Sequence, residues 1–219
     1  MMHAMSDASL EVVLCRIARR AYRLGLVEGT AGNFSVRLDQ QRVLCTPTAV
    51  CKGDLRPVDL CVVDLGGRQL AGERAPSSEI GMHLEIYTGC PSAGAVAHCH
   101  PPYATTLAVL GQAPPSGLLP EGDILLGPVP LIPYQTPGTR SMGRVLQPYL
   151  AGHTAALLQN HGTVVWAGDL RQACLLTETL EAVCRVYWQA RLVGVPQLIS
   201  PDQQAELARR RRVGWTPPT

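Results

Sequence analysis

The spacing of apolar residues is helical near both ends of the chain. Over residues 7–25 apolar positions recur every three or four residues, which predicts an amphipathic helix. Near the C-terminus, Asp169 precedes a long apolar stripe and Gln172 stands at the capping-box position, so a long helix is predicted there. Ser200 and Pro201 repeat the start signal and predict one more helix.

Short apolar or alternating runs in the middle of the chain predict strands. These runs are 34–38, 42–45, 60–65, 95–100, 129–133, 155–158 and 163–166, and helices are predicted over 76–88, 103–110 and 140–150. The first two strands form a predicted hairpin, and the last two pair around a tight turn at 159–162. We see no linker or repeat. The pattern therefore predicts a mixed α/β layer structure around one sheet, in a single domain over 1–219.

Composition and charge narrow the class of protein. Of 219 residues, 46% are hydrophobic and 16% are charged, which is typical of a folded globular chain. The net charge of +2 predicts no nucleic-acid partner, and we interpret the basic run Arg209–Arg212 as a solvated helix face. With no apolar run of membrane-spanning length and no signal peptide, we expect a cytoplasmic protein with no membrane partner. The eight cysteines form no C-x-x-C pair and are expected to be reduced and mostly buried.

Two histidines lie two positions apart on a predicted strand. Side chains alternate between the faces of a strand, so His98 and His100 project to the same side and Cys99 to the other. This pair is either two ordinary strand histidines or half of a metal site. A catalytic zinc needs three protein ligands and one open position, and His161, in the tight turn, is the best candidate for the third. On its predicted helix, His83 is expected to pack or to form hydrogen bonds.

Three separated segments of small residues carry hydroxyl, amide and backbone N–H groups. They contain Gly32 and Asn33, then Thr48, then Ser77 and Ser78. Each alone is a common turn or cap, but a helix starting at the two serines offers unpaired N–H donors and the positive end of the helix dipole. Together the segments are candidates for a phosphate site.

A carboxylate follows the two serines directly. Glu79 either complements the helix dipole or, beside a metal with an open position, serves as a general base that removes a proton next to a carbonyl.

These motifs, in this order, resemble the class II aldolase/adducin family over nearly the whole chain, and most closely its members that cleave L-fuculose phosphate. The motifs that carry the resemblance are Gly29–Asn33, Thr46–Thr48, Pro76–Glu79, the pair His98 and His100, Pro133-Tyr134 with Gly138-Thr139, and Gln159 with His161-Gly162. The resemblance implies a three-layer α/β/α fold with a central, mostly antiparallel sheet.

The same resemblance implies a site and a reaction. It implies Zn²⁺, with Co²⁺ or Mn²⁺ as alternatives, bound by His98, His100, His161 and Glu79, with Glu79 also acting as the base. It implies phosphate binding by Gly32, Asn33, Thr48, Ser77 and Ser78. The implied enzyme is a lyase that reversibly splits L-fuculose 1-phosphate, or a related deoxy or methylthio ketose 1-phosphate, into dihydroxyacetone phosphate and an aldehyde through a metal-stabilised enediolate. The implied assembly is a homotetramer with active sites between subunits.

The chain departs from the family pattern at three places. Ala49 stands where the phosphate loop usually has glycine. An ungapped match places Leu119 where a neighbouring subunit usually supplies a catalytic tyrosine, and Glu121 nearby either substitutes as the acid or faces solvent. The C-terminal tail around Trp215 also lacks the family's tyrosine. Two alternatives therefore stay open: a decarboxylase or dehydratase of a sugar-acid or thiosugar phosphate, and a non-catalytic scaffold like the adducin head.

Overall fold

The computed structural model describes residues 7–212, so His3 and the tail around Trp215 lie outside the described residues. The helices are α1 (Asp7–Arg23), α2 (Ile80–Gly89), α3 (Pro102–Val109), α4 (Pro120–Leu125), α5 (Arg140–Arg144), α6 (Leu170–Val193) and α7 (Pro201–Arg212). The strands are β1 (Asn33–Arg37), β2 (Arg42–Cys45), β3 (Cys61–Asp64), β4 (Gln69–Ala71), β5 (Ala95–Cys99), β6 (Leu131–Ile132), β7 (Ala155–Leu158) and β8 (Gly162–Ala167).

All eight strands form one sheet in the order β4-β3-β2-β1-β5-β8-β7-β6. Every neighbouring pair is antiparallel except β6 and β7, which are parallel. The two predicted hairpins, β1–β2 and β7–β8, are both present. The prediction of a central, mostly antiparallel sheet is confirmed.

Helices cover both faces of the sheet. On one face, apolar side chains of α1, α3 and α6 pack against β1, β5 and β8 in a core that includes Phe34, Cys99 and Leu180. On the other face, α2 and α5 pack over a second core that includes Met82 and Trp166. These two cores make the three-layer α/β/α arrangement that the resemblance implied. Alternate side chains of β5 therefore face opposite layers: Cys99 lies in the first core and Val96 in the second.

Some local predictions were wrong. The strand β4 and the helix α4 were not predicted, because β4 has three exposed residues and α4 lies in a segment rich in Pro and Gly. The helix predicted over 140–150 stops after Arg144 and is followed by a 3₁₀ turn at Gln147–Tyr149. Pro148 in this turn has no N–H to donate and disfavours helical geometry in the residue before it.

The long helix α6 begins as predicted. Asp169 accepts a hydrogen bond from the backbone N–H of Gln172, at 2.8 Å, while the Gln172 side chain accepts from the N–H of Gly168 rather than closing the box on Asp169 itself. The final helix α7 exposes Arg209 and Arg210 to solvent, which agrees with the interpretation of that part of the basic run. All eight cysteines are free thiols, and six of them are buried.

Candidate metal centre and active site

The histidine pair sits at the end of the central strand β5. Cys99 packs in the core on the α1, α3 and α6 face, and His98 projects to the opposite face, as the alternation predicted. The Nδ1 of His98 lies 2.8 Å from the carbonyl oxygen of Thr163 on β8. A carbonyl only accepts, so Nδ1 carries the proton and the Nε2 of His98 presents a lone pair. A hydrogen bond of this kind from the other ring nitrogen orients many metal-binding histidines.

The third histidine comes from the turn between β7 and β8. This turn bends tightly because Asn160 adopts the left-handed conformation, at φ 56°, which asparagine tolerates better than most residues. His161 thereby faces the pair: its ring centroid lies 4.6 Å from that of His98 and 4.9 Å from that of His100. The structure thus brings all three predicted ligands together, with ligand atoms within 4.8 Å of one another.

Glu79 joins this cluster from the start of α2. Its Oε2 lies 3.3 Å from His98 Nε2 and accepts a hydrogen bond of 2.8 Å from Asn33 Nδ2. Its Oε1 lies 3.3 Å from His161 Nε2, is buried, and has no hydrogen-bond partner within residues 7–212. The predicted closeness of Glu79 to the histidines is therefore present in the structure.

Burial and neighbouring groups lower the pKa of two of the three histidines. Burial, followed by the nearby His98 and His161, lowers the pKa of His100 to about 3. Burial, followed by His98, lowers the pKa of His161 to about 4. Burial alone would raise the pKa of Glu79, but His98, His161 and Asn33 together hold its pKa well below the ordinary value. The site thus places a carboxylate beside the neutral rings of His100 and His161, and unprotonated groups of this kind bind cations.

The donor set fits a divalent metal. His98 Nε2 and His100 Nε2 lie 2.9 Å apart, and each of the two contacts with Glu79 is 3.3 Å. Ligand atoms 2.0–2.1 Å from a tetrahedral zinc lie about 3.3 Å from one another, so the spacing is already close to that of a filled site. The buried Oε1 of Glu79 has no hydrogen-bond partner among residues 7–212, and a bound cation would satisfy it.

The three small-residue segments also come together beside this cluster. The backbone of Thr46 pairs with Phe34 on β1, and its carbonyl accepts from the N–H of Ser77 at 3.2 Å. The N–H of Thr48 donates to Ala75 at 3.0 Å. We call the group of Gly32, Asn33, Thr48, Ser77 and Ser78 the cradle.

The cradle differs from the prediction in one respect. The helix was predicted to begin at the serines with unpaired N–H groups, but α2 begins at Ile80 and the N–H of Ser77 is already bonded to Thr46. This part of the prediction was wrong, because the bridge between Pro47 and Pro76 fixes the chain before Ser77, and Ser78 and Glu79 form a turn that precedes α2. The Ser77 hydroxyl is buried and Ser78 is exposed.

A buried lysine that the sequence did not single out ties two of these segments together. Lys52 is 1% exposed, and its Nζ donates to the carbonyl oxygens of Thr30 and Val50, each at 2.9 Å. Thr30 leads into the cradle's Gly32, and Val50 follows Thr48. Burial lowers the pKa of Lys52, and no carboxylate of the described residues forms an ion pair with it. Its signal in the sequence was a lone lysine between apolar and glycine residues.

Other candidates are placed as follows. His83 is buried and hydrogen-bonded at both ring nitrogens, which agrees with the expectation that it forms hydrogen bonds. Glu121 lies in the first turn of α4 with its side chain exposed, and no described hydrogen bond or ion pair connects it to the histidines. Ala49 adopts a positive φ of 55°, the conformation that explains why glycine is common at this position in the family.

The layered fold carries a cluster of three histidines and a carboxylate that could hold a metal ion. The chain belongs to the class II aldolase family, because the family model "Class II Aldolase and Adducin N-terminal domain" matches residues 12–188. The predicted family, fold and lyase class are thereby confirmed, and the scaffold alternative has no support among the enzymes that follow.

Three similar proteins illustrate the relationship. The chain is 34% identical over 191 residues to 5-deoxy-D-ribulose 1-phosphate aldolase of Bacillus thuringiensis, covering 85% of this chain and 87% of that one. It is 35% identical over 188 residues to 3-oxo-tetronate 4-phosphate decarboxylase of Haemophilus influenzae, covering 84% and 89%. A solved L-fuculose 1-phosphate aldolase superposes with a TM-score of 0.88 at 28% identity, covering 95% and 99%.

These relatives sharpen the sequence prediction. The aldolase of a deoxypentulose phosphate and the decarboxylase are both more similar in sequence than the solved L-fuculose enzyme. Within residues 7–212, no helix is both long and apolar enough to cross a membrane.

Proposed function

We propose that this protein is a metal-dependent aldolase that reversibly cleaves a ketose 1-phosphate to dihydroxyacetone phosphate and an aldehyde. The observation that carries the proposal is the meeting of three imidazoles with the Glu79 carboxylate beside the cradle. His98, His100, His161 and Glu79 would hold Zn²⁺, and imidazole ligands also suit Co²⁺ or Mn²⁺. When bound, the cation supplies a Lewis acid that stabilises negative charge on the substrate's carbonyl oxygen.

Glu79 is the proposed base as well as a ligand. Asn33 holds one carboxylate oxygen, Oε2, by a hydrogen bond, whereas Oε1 has no hydrogen-bond partner in the described chain. The free oxygen is the one available to take a proton from the substrate or return it. The low pKa of this carboxylate keeps it ionised and ready to accept.

The cradle is proposed to bind the substrate's phosphate. Asn33 retains one amide hydrogen beyond the one it gives to Glu79, and the hydroxyls of Thr48, Ser77 and Ser78 add further donors. The buried ammonium of Lys52 donates to two of the loops and adds positive charge, and no carboxylate within residues 7–212 forms an ion pair with it. We propose a deoxypentulose 1-phosphate as the first substrate to test, because one similar protein is a 5-deoxy-D-ribulose 1-phosphate aldolase. L-Fuculose 1-phosphate and methylthio analogues would be tested next.

A second candidate function is decarboxylation of a 3-oxo sugar-acid phosphate. It is supported by the similarity to 3-oxo-tetronate 4-phosphate decarboxylase. When 3-oxo-tetronate 4-phosphate loses its carboxylate as carbon dioxide, the electron pair of the broken bond forms an enediolate. Protonation of that enediolate gives dihydroxyacetone phosphate. Aldol cleavage leaves the same enediolate but must also remove a proton from the hydroxyl that becomes the aldehyde. The chain has no tyrosine between Leu107 and Pro133 to serve that second step.

One panel of substrates tests both candidates. Metal-loaded enzyme is given ketose 1-phosphates and 3-oxo-tetronate 4-phosphate, and dihydroxyacetone phosphate is measured in both cases by coupled oxidation of NADH. Aldehyde or carbon dioxide, measured separately, then distinguishes the two reactions. Carbon dioxide alone would replace the aldolase by the decarboxylase, and no dihydroxyacetone phosphate from any substrate would remove both.

A matched pair of variants tests the base. Glu79→Gln keeps the shape of the side chain but cannot accept the proton, so kcat should fall by about 10²–10⁴-fold. Glu85→Gln makes the same change on the same helix, where the side chain bonds to Gln147 instead, and should keep full activity. Equal activity of both variants would exclude Glu79 as the base.

The proposal extends to the surroundings of the site. Glu121 is exposed in the single chain, so we assign it as an acid only in a homotetramer whose active sites lie between subunits. A cytoplasmic location and a single domain over 1–219 complete the proposal.

A further inference from the structure

A row of buried hydrogen bonds leads from Tyr87, near the C-terminal end of α2, to the proposed base Glu79. Tyr87 Oη lies 2.8 Å from Ser35 Oγ, and Ser35 Oγ lies 2.7 Å from His83 Nδ1. His83 Nε2 lies 2.6 Å from Asn33 Oδ1, and Asn33 Nδ2 lies 2.8 Å from Glu79 Oε2. Between 0% and 4% of Ser35, His83, Tyr87 and Asn33 is exposed, so water does not compete for these bonds.

The chemistry of the groups fixes the direction of every proton in this row. The Asn33 amide donates from Nδ2 to Glu79 Oε2, so its carbonyl oxygen faces His83 and can only accept there. His83 Nε2 must then carry a hydrogen. Burial lowers the pKa of His83 to about 3, so the ring is neutral and its Nδ1 accepts from the Ser35 hydroxyl. The Ser35 oxygen in turn accepts from Tyr87.

His83 cannot serve as a metal ligand, because both of its nitrogens are used within this row. Its position also follows from periodicity: Glu79, His83 and Tyr87 are spaced by four residues on one face of α2. Asn33 and Ser35 are two apart on β1 and share the face towards α2. Two elements thus meet through five side chains of fixed donor and acceptor roles.

We propose that His83 is a positioning residue that acts on Glu79 through Asn33. By donating from Nε2 it locks the Asn33 amide in the one orientation that presents NH₂ to Glu79 Oε2. That bond leaves Oε1 as the free oxygen and fixes the carboxylate for the metal and the substrate. Ser35 and Tyr87 hold His83 in the tautomer that this requires. The role in catalysis rests on the function proposed above, whereas the hydrogen-bond role does not.

Two polar substitutions separate this role from packing. In His83→Gln the longer amide reaches the position of Nε2 and can donate to Asn33. In His83→Asn the shorter amide reaches only the position of Nδ1 and Ser35, so Asn33 loses its partner. We expect His83→Asn to lower kcat and Zn²⁺ affinity by about 10–100-fold, as changes in groups that orient metal ligands do. His83→Gln should stay within about threefold of wild type in both, and KM should change less than kcat in each variant.

The Zn²⁺ affinity is measured by competition with a chelating dye on purified, metal-stripped protein, and thermal unfolding of each variant is recorded beside it. Wild-type behaviour of His83→Asn would overturn the proposal. So would equal losses in both variants that follow their loss of thermal stability, since packing alone would then explain them. If His83→Asn does not fold, Ser35→Ala takes its place, with an expected loss of Zn²⁺ affinity of several-fold and no loss as the overturning result.

A second measurement is independent of metal and substrate. In protein labelled with ¹⁵N-histidine, the His83 resonances, assigned by their absence from His83→Gln, should report the neutral Nε2–H tautomer at pH 7. An Nδ1–H tautomer or an imidazolium would overturn the proposal. If wild type forms no dihydroxyacetone phosphate from any substrate, the proposed function fails, but the tautomer and the Zn²⁺ affinities still decide the role of His83.

Discussion

Gly162 begins β8 directly after the turn that carries His161, and it leaves no room for a side chain. A Cβ at this position would lie 2.5 Å from the carbonyl oxygen of Cys99 and 2.7 Å from Cδ2 of His100. The first atom belongs to the backbone of β5, and the second to the ring of a proposed metal ligand. Gly162→Ala must therefore spread the two central strands or turn His100 away from its partners.

The size of the effect follows from these contacts. Forcing one extra carbon into a packed interior costs about 1–3 kcal/mol, and here one of the two clashes is with backbone. Displacing even a group that merely orients a metal ligand costs about 10–100-fold in metal affinity, so moving the ligand His100 should cost at least about 10-fold. We expect Gly162→Ala to lose both stability and Zn²⁺ affinity.

A glycine in open space provides the control. Gly81 lies on the exposed side of α2, two residues after Glu79, and a Cβ there would meet nothing within 4 Å. Gly81→Ala should therefore raise the free energy of unfolding by about 0.5–1 kcal/mol, because alanine loses less backbone freedom than glycine in a helix. Urea unfolding of metal-stripped protein at one protein concentration, followed by Zn²⁺ titration, measures both variants. The reasoning is refuted if Gly162→Ala matches wild type in urea midpoint and in Zn²⁺ affinity.

Two further predictions concern charged side chains that the fold buries. Hydrogen bonds from Arg56 and then Arg74 lower the pKa of Asp59 to about 2, whereas an aspartate in an unfolded chain has a pKa of about 3.9. The ionised Asp59 therefore stabilises the folded protein above pH 4, and this stabilisation disappears as the pH falls towards 2. Asp59→Asn should cost about 1.5–3 kcal/mol at pH 7 and markedly less at pH 3, measured by urea midpoints; a difference that does not depend on pH would contradict this. Lys52→Met removes the donors that tie two loops of the cradle, and should weaken binding of inorganic phosphate about 10-fold by calorimetry, whereas unchanged binding would separate Lys52 from the phosphate site.

The meeting of the three proposed metal ligands could be predicted in part from the sequence, because it follows from local periodicity. His98 on β5 and His100 directly after it are two positions apart, and the turn between β7 and β8 places His161 beside them. What periodicity could not supply is the register of β5 against β8. That register sets the carbonyl of Thr163 opposite His98 and so decides which nitrogen of the ring is free.

Only the helical part of the hydrogen-bond row through His83 could be predicted from the sequence. The spacing of four from Glu79 to His83 and Tyr87 indicates one helix face, but a helix face can meet a core, solvent or another element. Its partners, Asn33 and Ser35, are some 50 positions away, and only the packing of α2 against the sheet selects them. The start of α2 was misplaced for a similar reason, because a long-range bridge between Pro47 and Pro76 overrides the local start signal.

The proposed reaction has two parts, formation of an enediolate and release of the other fragment, and the residues of the site serve the first part. Under the proposed function, His98, His100, His161 and Glu79 would act where an enediolate of dihydroxyacetone phosphate forms, and this enediolate is common to aldol cleavage and to decarboxylation. The leaving fragment differs between the reactions: an aldehyde needs an acid or base at its oxygen, whereas carbon dioxide does not. Among the described residues, no tyrosine, carboxylate or histidine beyond the cluster itself forms a hydrogen bond or ion pair with the three proposed histidine ligands. We therefore expect a group from a neighbouring subunit, for which Glu121 is the proposed candidate, to serve the aldehyde oxygen. Glu121→Gln should then reduce aldol cleavage, measured as release of aldehyde, while leaving release of carbon dioxide unchanged.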